Sequence, residues 1–212
     1  MQQLATSCIL VFLLSALLFC KTSDTPPDPN YITSIEAWRT ARLDALKRPR
    51  GWASLVGLHW LPEGQQSFGA SDTADIQLPE SSPEVIGVWH RAGDTVRFRP
   101  TPGLAVWSVN ESTPFSGGEV RADSDAQPHL LNHQSLYWMV IQRGDQYGVR
   151  VWDTLHHARS ELTEIPHFPV DPAWALPAQF EPAPPGTQMM VDNAVGLTVP
   201  VNVAGTVYSA QG

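Results

Sequence analysis

Apolar positions fall into three regimes along the chain. Residues 4–19 form an almost unbroken apolar run, residues 33–46 place apolar side chains at helical spacing, and after Gly51 short apolar or alternating segments are separated by Gly, Pro, Asn and Asp. The middle regime predicts one helix. Thr33-Ser34-Ile35-Glu36 is a capping-box pattern, in which the hydroxyl and the carboxylate each satisfy a free backbone N–H. Ile35, Trp38, Ala45 and Leu46, with Arg42 at the edge, then lie on one stripe. Pro49 and Gly51 end the pattern. Arg39, Arg42, Lys47, Arg48 and Arg50 crowd its end, where cations complement the helix dipole; the alternative is contact with anionic lipid head groups near a membrane.

The third regime reads as strands and turns throughout. Segments 55–61, 75–78, 85–90, 95–99, 104–107, 136–142, 147–152, 174–180, 189–191, 197–203 and 206–208 are the expected strands. Arg91-Ala92-Gly93-Asp94 and Arg143-Gly144-Asp145-Gln146 supply hairpin turns. The fold class this predicts is mainly β, a single sandwich- or barrel-like domain with one N-terminal amphipathic helix. No second amphipathic helix and no internal repeat is expected. Segment 55–61, flanked by Trp52 and Trp60, reads as a buried strand, so truncating Trp60 is expected to cost about 3–5 kcal/mol. Segment 206–208 reads as a strand with no closing partner after it, the expectation for a chain that is C-terminally incomplete.

The first regime changes the picture of where the protein works. A run of this length is short for a bilayer span and fits a signal-peptide core. Leu17-Leu18-Phe19-Cys20 is lipobox-like, although Phe19 stands where a small residue is usual. The expected organisation is a signal or lipobox segment at 1–20 with Cys20 lipidated, a Pro-rich spacer at 21–32, and the β-rich domain at 33–212. The opposing reading is an uncleaved signal anchor with a buried Cys20 thiol. Either places the chain in the cell envelope, with the membrane as a partner through the N-terminus. Cys8 and Cys20 are the sole cysteines, so the exported domain has no disulfide and rests on its core. About 180 residues suit one sizeable core. The net charge of −8 argues against a nucleic-acid partner.

Catalytic and metal signals are thin. His129 and His133 are at helical ligand spacing, but Pro128 precedes them and a strand pattern follows. His156-His157 point to opposite faces if extended. No HExxH or CxxC accompanies them, so neither metal nor cofactor is expected. His59, between apolar neighbours, reads as a core or rim histidine. No Gly-x-Ser-x-Gly is present, and Ser116-Gly117-Gly118 reads as a turn. The most suggestive polar set is Arg143, Arg150, Trp152, Asp153 and Arg159. Arg150 and Trp152 share one strand face, where guanidinium and indole can stack or hold an anion. Asp153 can instead cap a turn or pair with Arg159, and Arg143-Gly144-Asp145 is good turn chemistry.

Several blocks in order resemble one family. Gly51-Trp52-Ala53-Ser54-Leu55-Val56-Gly57-Leu58-His59-Trp60-Leu61, Asp75-Ile76-Gln77-Leu78-Pro79, Tyr137-Trp138-Met139-Val140-Ile141-Gln142-Arg143-Gly144-Asp145 and Phe168-Pro169-Val170-Asp171-Pro172-Ala173-Trp174 are similar to the DUF1684 family of bacterial proteins. The resemblance runs from about Trp38 onward, with Leu162 where an aromatic is usual. Members continue past the position of Gly212 with polar motifs, one of them Asn-Pro-Pro-Cys, that this chain lacks. The resemblance implies no established activity. Gly69 with Asp75-Ile76-Gln77-Leu78 also resembles the forkhead-associated sandwich. Its Arg is Ala70 here and its Ser and His are missing from 83–88, so phosphopeptide reading is not implied. Three functions stay open. One is a module binding a small or extended ligand on an aromatic, Arg-lined surface. Another is a hydrolase with its catalytic groups largely beyond this chain. The last is a structural envelope protein.

Overall fold

The computed structural model describes residues 29–193 and 196–209. Segment 4–19, Cys20 and most of the spacer lie outside the described residues. Helix α1 spans Pro29–Leu46, so its start is earlier than the capping-box pattern predicts and the spacer is correspondingly shorter. Pro29 suits a first helical turn, where its missing N–H is not needed. Thr33 and Glu36 therefore lie inside the helix. Ser34 Oγ donates to the Tyr31 carbonyl, and Glu36 pairs with Arg39 at 2.9 Å. The half-buried line is Tyr31, Ile35, Arg39, Leu43 and Leu46, while Trp38, Arg42 and Ala45 face solvent. The stripe is thus rotated from the expected one. Arg39 supplies a reason, because its guanidinium donates to the Phe168 carbonyl at 2.9 Å and so turns that side of the helix inward.

After a 3-10 turn at Trp52–Ser54 the chain is mainly β, as the alternation predicts. The strands of the main body are β1 (Leu55–Trp60), β2 (Gly64–Gly69), β3 (Ile76–Gln77), β4 (Gly87–Ala92), β5 (Thr95–Pro100), β6 (Trp107–Ser108), β7 (Thr113–Pro114), β8 (Gly118–Glu119), β9 (Leu131–His133), β10 (Leu136–Arg143) and β11 (Gln146–Asp153). They form two sheets, ordered β1-β11-β10-β9-β6-β7 and β3-β2-β4-β5-β8. The sheets face each other across one aromatic core, a sandwich-like arrangement. Phe68, Trp89 and Phe98 of the second sheet meet Trp138 of the first, with Phe68–Trp138 and Phe98–Trp138 edge-on at 5.4 and 5.8 Å. Edge-on rings are favoured by the aromatic quadrupole. Leu61, Ile86, Val140, Val149 and Val151 fill the remaining space.

The β10–β11 hairpin is the centre of the first sheet. Its register, from Leu136↔Asp153 to Arg143↔Gln146, closes on Gly144 at φ 57°. That left-handed conformation is where glycine is cheap. Leu136, Trp138 and Val140 point to the core with Val149 and Val151. Tyr137, Met139, Arg150 and Trp152 point to the opposite face.

Three expectations change. Strand β1 is an edge strand, and Trp52 and Trp60 are 73% and 38% exposed, so it is not a buried strand. Trp60 instead packs over Gly148, the residue across from it in β11. Strand β2 was not legible, because its Gly-Gln-Gln-Ser start carries little apolar signal; its core contribution is Phe68 with Gln66. Segment 104–107 is mostly loop; the single-turn helix α2 (Ala158–Glu161) after β11 is too short to count as a second amphipathic helix.

The last described segment holds β12 (Ala178–Pro182), β13 (Gln188–Asp192), β14 (Thr198–Asn202) and β15 (Gly205–Ser209), after a 3-10 turn at Pro172–Trp174. Strand β12 pairs with β15 and β13 with β14. Segment 206–208 therefore has its partner earlier in the sequence, not after it. Phe180, Met189, Met190, Val207 and Tyr208 on these ribbons remain exposed.

Candidate functional site

The outer face of the first sheet gathers arginine and aromatic side chains around the start of β1. Strand β11 contributes Arg150 and Trp152, with the guanidinium 5.9 Å from the indole centroid. Leu58 lies opposite Arg150, and Leu55 opposite Trp152. The segment between α1 and β1 adds Arg48, Arg50 and Trp52. Arg50 reaches over Tyr137 of β10, 6.0 Å from its ring centroid. A cavity of about 150 Å³ is lined by Arg50, Gly51, Trp52, Leu55, Arg150 and Trp152. A wider groove of about 550 Å³ shares Arg50 and Trp152 and extends past Arg48 and Met139 to Asn110.

Local folding explains how segment 48–54 is placed. Gly51 sits against the carbonyls that end α1; a Cβ there would come within 2.4 Å of Leu46 O and 2.7 Å of Ala45 O. Gly51 N–H donates to Arg48 O, and Ser54 Oγ–H donates to Gly51 O, which closes the turn. The other side is fastened to the turn after β11. Arg159 donates to the Lys47 carbonyl at 3.1 Å and to the Thr154 carbonyl. His156 Nδ1 is 3.0 Å from the Ala53 carbonyl. Asp153 Oδ1 accepts the Leu155 N–H, capping the same turn. Arg159, His156 and Asp153 thus hold the segment beside Trp152 without lining the groove.

Arg150 and Trp152 are therefore brought together as the strand alternation predicts. Asp153 is a buried turn cap and forms no ion pair with Arg159 among the described residues. Arg143 lies at the far end of the hairpin, bound to Asp123 at 2.9 Å. Arg48, Arg50, Trp52 and Tyr137 were missed as site residues. The available signal was Arg48-Pro49-Arg50-Gly51-Trp52, two cations and an indole around a helix stop, which the sequence reading ascribes to the helix dipole or to anionic lipid head groups.

Arg48, Arg50 and Arg150 have no carboxylate within ion-pair distance among the described residues, whereas Arg39, Arg91, Arg121 and Arg143 all do. Arg42, Arg97, Arg99 and Arg159 also lack a carboxylate partner among the described residues, and what marks this face is three such guanidinium groups gathered beside aromatic rings. Unpaired guanidinium groups on a chain of net charge −8 leave a local positive potential for an anion. Two other grooves offer less. The one between α1 and segment 164–167, about 360 Å³, carries a single such guanidinium, Arg42 over Trp38 at 5.6 Å, because its Arg39 is already bound to Glu36 and Phe168. The one over the second sheet, about 480 Å³, carries His90, Arg97 and Arg99 but no exposed aromatic ring.

The histidines form no metal cluster; among the described residues no group of three His, Cys, Asp or Glu side chains is placed to hold an ion. His129 is buried. Its Nδ1 accepts the Arg121 backbone N–H at 2.9 Å, and its Nε2 faces Glu111 at 3.4 Å. Burial, then the Arg121 charge, holds the imidazole below its ordinary value, with Glu111 pulling the other way. His133 Nδ1 meets the Ala105 carbonyl, and His156 and His157 have rings 4.4 Å apart. His59 is half-buried, and desolvation lowers its pKa. Ser116 lies in a loop beside Gly117 and Gly118. No described helix is long and apolar enough to cross a membrane. No family model, curated protein or solved structure matches the chain.

Proposed function

We propose that the chain is an exported, envelope-anchored ligand-binding module of the DUF1684 type, which holds an anionic ligand on the outer face of its first sheet. The observation that carries this is the set of unpaired guanidinium groups, Arg48, Arg50 and Arg150, standing among Trp52, Tyr137 and Trp152. Guanidinium forks hold carboxylates and phosphates bidentately, and the rings beside them supply stacking area at low entropic cost. Catalysis has no comparable support on this face, because no nucleophile–base pair lines it.

Stacking against the ring lets Arg150 stay extended over the sheet without a carboxylate partner, at a gain of about 0.5–1 kcal/mol. The ligand then completes an electrostatic arrangement that the protein leaves open. Its affinity falls with added salt, since an exposed charge is screened over about 10 Å at 0.1 M ionic strength.

The test is a thermal-shift and tryptophan-fluorescence titration with a panel of carboxylated and phosphorylated compounds. A hit raises the melting temperature of the protein. Arg150→Gln and Arg50→Gln should each weaken that hit about tenfold, the scale of a charge-assisted hydrogen bond, while the lost ring contact lowers the ligand-free melting temperature by only about 1–4 °C. Hits that are indifferent to both substitutions would defeat the proposal.

A further inference from the structure

The edges of the two facing sheets are unequal. Strands β3, β7 and β8 are two residues long, whereas β1 has six residues, Leu55–Trp60. Among the described residues no strand pairs with its outer side. Protein edges are normally blunted by shortness, charge or proline. Strand β1 has no Lys, Arg, Asp, Glu or Pro, and its one titratable group, His59, is half-buried with its pKa lowered by desolvation. Alternate backbone N–H and C=O groups of such a strand point away from its neighbour β11. The register irregularity at Leu55/Gly57 leaves 57–60 as the regular stretch. Leu58 and Trp60, 41% and 38% exposed, lie along it on the same face as Arg150.

We infer that the free edge of β1 takes an extended, acidic peptide segment of a partner protein as an added strand, with its carboxylates reaching over Leu58 to Arg150 and toward Arg50. This rests on the ligand-binding reading above and names the ligand class. Backbone pairing supplies affinity in strand addition, and pockets for alternate side chains supply specificity. An added strand lies about 5 Å beyond β1, and Arg150 is one strand spacing inside it, so a glutamate side chain and the guanidinium close the gap between them. Leu58 and Trp60 pack under the stems of the glutamates on that face, and the intervening apolar side chains fall on the opposite face, the one that carries His59. Charge also decides against a second copy of this chain on the same edge. Pairing β1 with β1 would bring the unpaired arginines of two copies toward one shared sheet face, with no carboxylate on that strand to separate them.

The experiment titrates the protein with a short peptide alternating glutamate and valine, read by tryptophan fluorescence. Two N-methylated versions block alternate amides, one set on each edge of the peptide. Blocking the pairing edge should weaken binding about tenfold or more, while blocking the other edge leaves it nearly unchanged. Arg150→Gln should weaken the unmodified peptide without changing the contrast between the methylated pair. If both methylated peptides bind as well as the parent and Arg150→Gln still weakens them, strand addition is wrong and the anion site stands. If the peptide does not bind but carboxylated or phosphorylated small molecules do, the peptide class is wrong and the site again stands. Indifference to every anion overturns both. Saturable binding to vesicles of anionic phospholipid that the peptide does not displace, or a dimer in sedimentation that Leu58→Glu dissolves, also overturns the peptide assignment.

Discussion

At the residue scale, the contrast among arginines and histidines is one of partners. Arg143, Arg121 and Arg39 are bound to carboxylates and hold loops, whereas Arg50 and Arg150 lie over aromatic rings. His129 shows how a buried titratable group acquires a purely structural task. Because Nδ1 accepts a backbone N–H, the folded state needs the neutral ring, with its proton on Nε2 facing Glu111. The folded pKa lies below the ordinary 6.5. A base with a lowered folded value contributes stability that is complete above the unfolded value and lost as pH falls below it. The urea midpoint should therefore decline as pH drops from 6.5 toward the lowered value, and His129→Gln should flatten that decline. Asp75 and Glu111, whose values hydrogen bonds from Ser67 and Arg121 depress, add their own loss in a more acidic window. A midpoint that stays level between pH 6.5 and 5, or an undiminished decline in His129→Gln, would count against this assignment.

At the element scale, the joint between α1 and β1 matters most. Helix end, 3-10 turn and edge strand meet within residues 46–55, and Gly51 is the point of closest approach. Replacing Gly51 with Val would drive a side chain into the terminal carbonyls of α1, forcing segment 48–52 away from Trp152. Overpacking of this kind costs about 1–3 kcal/mol. A lower melting temperature together with weaker binding of the anionic ligand is the expected result. Wild-type stability in this variant would show that the close approach is not needed. The hairpin β10–β11 was legible because alternation and turn chemistry agree along its length, from Leu136 to Asp153. The phase of α1 was not legible. Its apolar residues are sparse, and the bond from Arg39 to Phe168, far along the chain, sets which side faces in.

At the whole-molecule scale, the sandwich-like body keeps its large apolar side chains inside, while the ribbons β12–β15 leave theirs outside. A two-stranded ribbon has no second layer of its own, so it cannot bury both faces. Strand β1 and these ribbons present apolar surface, as do Trp52, Leu155, Phe168 and Trp174 on the connections. The proposed attachment to the envelope rests on the N-terminal segment, which lies outside the described residues. Changing Cys20 to Ser should move the protein from the membrane fraction to the soluble fraction of its host. Retention in the membrane would defeat lipidation and favour a signal anchor.

The sequence by itself determined the class of the fold, most strand positions and the pairing of Arg150 with Trp152 on one face. These follow from period-two alternation and from turns that need Gly or Pro, both local properties. It also showed the basic cluster after α1, without its purpose. Only the tertiary structure decided that β1 is an edge strand, that Trp60 is half-exposed, and that Arg50 crosses to Tyr137 while Arg143 is spent on Asp123. Local spacing says which residues share a face. Which face is covered, and which charge finds a partner, depends on elements brought together from distant parts of the chain.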